Sequence, residues 1–180
     1  MTRARRIATR LAWFVGTTVL SGGCDLGTKH WAERTLTDAP GHTMALIHPW
    51  LDASLTYNRG TAFSFIGDLG DARLWLGLLS LAAVIAMAVL ATRSDSDTGD
   101  TLALGAIAGG AIGNGVDRVL RTGATGQPAG VVDFIKVNYP WGGSWPSFNI
   151  ADALIGVGVA IMLLRRLRKP EPPAEAATAA

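Results

Sequence analysis

The sequence predicts an all-α membrane protein of four transmembrane helices, with a small extramembrane β-rich segment between helices 1 and 2. Three observations predict it. Of 180 residues, 49% are apolar and only 17% are charged, too apolar a balance for an ordinary soluble domain of this size. Four segments approach the roughly 20 mainly apolar residues that a spanning helix needs. Basic residues flank the first and last of these, with Arg3, Arg5, Arg6 and Arg10 before and Arg165, Arg166, Arg168 and Lys169 after. Because Lys and Arg are retained on the cytoplasmic side of short flanks, both termini are expected there, which requires an even number of spans.

The first span is expected over about 11–26. The second, about 74–92, is the cleanest. The third, about 101–120, is rich in Gly and Ala yet carries Asn114 and Asp117. The fourth, about 150–164, is short. Residues 1–169 then form a single integral-membrane domain. Residues 170–180, rich in Pro, Ala and Glu, are expected to be a disordered tail. Between the first two spans, short apolar runs (MALIHPW, ASLTYNRGTAFSFIG) are bounded by Pro40, Gly41, Pro49, Gly60 and Gly67, the punctuation of short strands and turns. Trp50, Tyr57 and Phe63 suit the headgroup level of a bilayer.

Several function classes are excluded. One cysteine, Cys24, allows no intrachain disulfide and no cysteine-based zinc site, and the three histidines lack an H-E-x-x-H pair, so no metal or other cofactor is expected. The net charge of +2 comes from arginines that flank spans instead of forming a patch with interleaved aromatics, so no nucleic-acid partner is expected. Membrane lipids are the expected surroundings, and a monomer the expected state.

The chemistry is expected from ionisable groups at span ends, which are costly there and need a reason. Asp25 and Lys29 are four apart and share a helix face; Asn114, Asp117 and Arg118 follow the i, i+3, i+4 pattern of one stripe. Gly105 and Gly109 have the G-x-x-x-G spacing that lets helices approach closely. Asn149 and Asp152 are three apart, with Ser147, Phe148 and Asn149 placed to cap the fourth helix. Asp133 and Asp152 can converge only if KVNYPWGGSWPS folds back, a path that Pro140, Gly142, Gly143 and Pro146 favour. Two carboxylates a few ångströms apart would share one proton, the condition for activating a water and protonating a leaving amine. Asn58 and Gly60 offer a side-chain amide beside an approachable backbone, suited to an extended peptide or a lipid carbonyl; a turn-forming Asn-Arg-Gly is the alternative.

In order, DLGTK (Asp25 to Lys29), NRGTAFS (Asn58 to Ser64), GNGVDR (Gly113 to Arg118), VVDF (Val131 to Phe134) and FNIAD (Phe148 to Asp152) make the chain resemble the lipoprotein signal peptidases, or signal peptidase II, over about 11–164. The resemblance implies a four-helix aspartyl endopeptidase of the bacterial inner membrane, its site near the outer face. It would cut prolipoproteins just before a diacylglyceryl-modified cysteine, without a cofactor. By that analogy Asp133 and Asp152 are the catalytic dyad. Asn58, Gly60, Asn114, Arg118, Asn149 and Ala151 shape the substrate and dyad environment, and Asp25, Lys29 and Asp117 support it. The stretch between Arg118 and Asp133 is longer than the family's usual link, so the loop aiming Asp133 is expected to differ.

Two other readings compete. RARRIATR, an apolar run and SGGC resemble a lipoprotein signal peptide ending at Cys24; intramembrane Asp, Asn and Arg also suit a small transporter. If Cys24 is not lipidated, it is expected to be a small buried side chain.

Overall fold

The computed structural model describes residues 2–59, 72–93, 96–123, 127 and 129–168. Its helices are α1 (Arg3–Leu36), α2 (Ala72–Ala91), α3 (Thr98–Leu120) and α4 (Ile150–Arg168). Three strands, β1 (Thr43–Ile47), β2 (Leu51–Asn58) and β3 (Val131–Val137), form one antiparallel sheet in the order β1-β2-β3. All four expected helices are present. The expected strands between α1 and α2 are present too, but the sheet is completed by β3, in a stretch between α3 and α4 that the sequence predicts to be a loop.

Helix α1 is far longer than its apolar core. Thr2 caps it by accepting from the Arg5 amide, and its polar ends continue as helix beyond the apolar run. Its buried residues, Phe14, Thr18, Ser21, Gly22, Asp25, Lys29, Ala32 and Leu36, recur every three or four positions and so form one stripe. Cys24 lies off that stripe and is exposed, which corrects its expected burial.

Helix α3 is central and contacts α1, α2 and α4. Its glycines set the separations. A Cβ on Gly109 would stand 2.5 Å from Ser21 Cβ and 2.7 Å from the Thr18 carbonyl, and one on Gly110 would stand 2.7 Å from the Ala151 carbonyl. At Gly113 it would fall 2.1 Å from Asp25 Oδ2, so no side chain fits there. At the far end Asp97 and Asp100 make a reciprocal capping box for α3 and both pair with Arg165 of α4. Helix α2 is peripheral and carries the strongest apolar run. Among the described residues, Arg73–Ala91 is the one helix long and apolar enough by itself to cross a membrane.

Two apolar clusters sit at opposite ends. Phe14, Ala91, Leu104 and Ala108 pack together at one; Ala32, Leu36, Ala53, Val132 and Phe134 join the sheet to the end of α1 at the other. Asp25 and Lys29 fall between them on the α1 stripe. The expected tail, 170–180, lies outside the described residues, as do Gly60, Phe63 and the rest of 60–71.

Candidate active site

Asp133 is positioned by a strand and Asp152 by a helix. On β3, Asp133 is paired with Thr56 of β2, whose hydroxyl donates to the Asp133 carbonyl at 3.0 Å. The chain then turns through Gly142 and Gly143, both in the left-handed region (φ 96° and 83°), and comes back antiparallel. Phe148 closes the return: its carbonyl accepts from Phe134 N (3.0 Å) and Ile135 N (2.8 Å), and its amide donates to Ile135 O (3.1 Å). The expected fold-back is therefore present, built as a strand and its return.

Asn149 follows Phe148 and caps α4. Its Oδ1 accepts from Asp152 N at 3.0 Å, and its own amide donates to Asp152 Oδ2 at 3.3 Å, a capping box in which Asp152 is the third helical residue. The same Asn149 holds the other carboxylate, with Nδ2 2.7 Å from Asp133 Oδ1. Asn149 is completely buried and Asp133 is 4% exposed, whereas Asp152 is exposed. Asn114 Nδ2 donates to Asp152 Oδ1 at 2.8 Å, and the Asn58 side chain hydrogen-bonds Asp133.

Beneath the two acids lies a buried ionic layer. Lys29 Nζ donates to Asn114 Oδ1 (2.8 Å) and forms ion pairs with Asp25 Oδ2 (2.7 Å) and Asp117 Oδ2 (3.0 Å). Because an ammonium only donates, Lys29 fixes Asn114 with its carbonyl inward and its NH₂ toward Asp152. Asp25 Oδ1 accepts from Ala151 N at 2.8 Å, satisfying an N-terminal donor of α4. Asp117 also accepts from Arg121 (2.6 and 2.8 Å) and from Val132 N (3.2 Å), anchoring β3 one residue before Asp133. Arg121 pairs further with Glu33, which accepts from the Tyr57 hydroxyl at 2.9 Å.

Five carboxylates, on Asp25, Glu33, Asp117, Asp133 and Asp152, thus face three cations, on Lys29, Arg118 and Arg121. Asp133 and Asp152 have no direct ion pair among the described residues, although Arg118 acts on both at longer range. Burial first, and then the charge of Asp152, push the Asp133 carboxyl up to about 6, against the lowering influence of Asn58, Asn149 and Lys29.

Nine of the expected residues form this one connected group: Asp133, Asp152, Asn149, Asn114, Asn58, Ala151, Asp25, Lys29 and Asp117. Arg118 stands beside it, and Gly60 lies outside the described residues. Sequence reading missed Glu33 and Arg121, which pair with each other across 88 positions of chain; the spacing of Asp117 and Arg121, four apart on α3, was the available signal for the second. In the longer link before Asp133, Gly123 N bonds to Gln127 O (2.8 Å) and Ala129 N to Arg121 O (3.1 Å).

Comparison with known proteins gives the family. Residues 17–168 match the family model described as signal peptidase (SPase) II. A lipoprotein signal peptidase of Polynucleobacter necessarius subsp. necessarius is 42% identical over 125 residues, 68% of this chain and 71% of that protein. Another, from Pseudomonas syringae pv. tomato, is 36% identical over 92% of this chain and 91% of its own length. Among solved structures, a bacterial membrane enzyme determined by the in meso method at 2.3 Å resolution superposes with a TM-score of 0.68 and 27% identity, covering 92% of this chain and 94% of that one. The chain belongs to the signal peptidase II family, aspartic peptidases that remove signal peptides from prolipoproteins.

Proposed function

We propose that Asp133 and Asp152 are the catalytic dyad of this peptidase, sharing one proton. The observation that carries the reading is their convergence on one buried residue, Asn149, which binds Asp133 through its side chain and Asp152 through its backbone. The burial asymmetry assigns the roles. Asp152, exposed and beside Arg118, is the ionised partner that takes a proton from water as the water attacks the scissile carbonyl. Asp133, buried and raised toward neutrality, keeps its proton and hydrogen-bonds the developing oxyanion. Collapse returns the proton on Asp152 to the leaving amine, and the pair is restored. Proton transfer of this kind contributes typically about 10²–10⁴ in rate. Asn58 and Asn114 orient the two acids. Gly60 is assigned, with Asn58, to holding the extended substrate.

The substrate is a prolipoprotein carrying a diacylglyceryl group on cysteine, cut before that residue. In this reading α1, α3 and α4 span the inner membrane with α2, within one domain of residues 1–169, and both termini are cytoplasmic. Trp31, Trp50, Trp141 and Trp145, all substantially exposed near the sheet end, suit the outer interface, so water reaches the acids from outside while the lipidated substrate stays in the bilayer. The enzyme acts as a monomer. Purified Asp133→Asn and Asp152→Asn should fold yet fail to process a diacylated precursor peptide. Full activity in either rejects the dyad.

Family membership displaces the two competing readings. Cleavage before Cys24 would also remove Phe14, Thr18, Ser21 and Gly22, the buried surface that α1 presents to α3.

A further inference from the structure

At the end of the molecule opposite the acids, α1 and α2 enclose a cavity of about 670 Å³ lined by Arg3, Arg6, Ile7, Arg10, Val89, Thr92 and Arg93. Positions 3, 6, 7 and 10 recur as i, i+3, i+4 and i+7, so three arginines and Ile7 project from a single stripe of α1. Arg10 donates to the Arg93 carbonyl, which joins the two helix ends. Four arginines therefore line one concavity, and among the described residues no carboxylate lines it. The nearby acids on α3, Asp97 and Asp100, are engaged by Arg165 on α4.

Positive charge near a membrane end is usual and sets orientation, but it does not require arginines to gather around a cavity. Arg5 and Arg34 are equally basic and line none of it. The wall is also two-faced. Ile7 continues to Leu11, and Val89 to Ile85, each four residues further along its helix; Leu11, Val89 and Ile85 are exposed at 43%, 55% and 57%. Apolar tracks thus lead from the arginines along both helices toward the body of the bundle. A phosphate among guanidiniums, joined to chains that follow apolar helix surfaces, matches both halves of the wall.

We propose that this cavity binds the phosphate headgroup of an anionic phospholipid, with its acyl chains lying along Ile7–Leu11 and Val89–Ile85. The proposal rests on the membrane reading given above for the position of this end. It concerns a lipid bound outside the peptidase site.

The experiment is native mass spectrometry of the full-length protein in detergent, titrated with phosphatidylglycerol or with phosphatidylcholine of the same chains. Retention of one phosphatidylglycerol in clear preference to phosphatidylcholine is expected. Arg6→Gln and Arg93→Gln should each weaken it about fivefold, equivalent to about 1 kcal/mol per arginine, while Arg5→Gln leaves it unchanged. Equal retention of the two lipids, or an equal loss in Arg5→Gln, would overturn the site, since either means unspecific charge. Displacement of the lipid by inorganic phosphate at equal concentration would overturn the lipid assignment in favour of a free-phosphate site. Lipid retention in detergent is independent of orientation in the cell, so its outcome is separable from that of the topology.

Discussion

Asp133 and Lys29 are where single side chains decide the behaviour of the site. The Asp133 carboxyl, raised from its ordinary value near 3.8 to about 6, favours the protonated folded state. Its contribution to stability is full below about pH 4 and is lost as pH rises through about 6, a difference of roughly 3 kcal/mol from the two-unit shift. Asp133→Asn carries no such dependence. Relative to the parent, it should gain up to about 3 kcal/mol more at pH 8 than at pH 4, read by thermal unfolding in detergent; the same difference at both pH values would contradict the raised carboxyl. For catalysis, kcat/KM should fall above about pH 6, because it reports the free enzyme, and kcat should fall only at higher pH, because bound substrate buries Asp133 further and disfavours its charged form. Lys29→Met presents the opposite case. It strands Asp25 and releases Asn114, and should cost about 3–5 kcal/mol. Adding Asp25→Asn should recover part of that loss, since Asp117 keeps Arg121. No recovery in the double variant would show that Asp25 and Lys29 are not coupled.

Between elements, stability depends on how closely α1 and α3 approach. Gly109→Val would drive a methyl-bearing carbon into Ser21 Cβ, the Thr18 carbonyl and Gly22 N, the last at 2.9 Å. Overpacking of this kind costs typically about 1–3 kcal/mol, and activity should fall with it because α1 carries the Asp25 that holds Ala151. Gly23→Ala is the control: nothing lies within 4 Å of its Cβ, so the helix should gain about 0.5–1 kcal/mol. A melt in which Gly109→Val is as stable as the parent would refute the close approach. Element existence was readable wherever periodicity or apolar length was strong, and thus all four helices and the first two strands were expected. β3 was not, because VVDFIKV is short and its partner β2 lies some 75 residues earlier in the chain, a pairing no local signal encodes. The ends of α1 were cut short for a related reason: apolar length marks what a bilayer can hold, whereas a capped, arginine-rich helix continues past its apolar run. Asp25 with Lys29 and Asn149 with Asp152 were legible as neighbours on a turn. Lys29 with Asn114 and Asp117, and Arg121 with Glu33, appear only when α1 and α3 are side by side.

At the scale of the whole molecule, one end is ionic and aromatic, the other is arginine-rich, and between them α2 exposes large apolar residues, including Leu74, Trp75, Leu78, Leu79, Ile85 and Val89. That profile predicts orientation. In a Cys24→Ala background, an impermeant maleimide applied to intact cells should label Trp141→Cys and should label Thr9→Cys only after permeabilisation; the reverse pattern would overturn the topology. The Phe148 clasp has a further consequence at this scale. Its three backbone hydrogen bonds to Phe134 and Ile135 fix where the returning chain meets α4, leaving Gly142 and Gly143 at a tip whose own hydrogen bonds reach no further than Tyr139. Added length at that tip is decoupled from the separation of the two acids. The tip can be grafted, tagged or diversified as a handle, while the placement of Asp133 and Asp152 is inherited unchanged from the base of the hairpin.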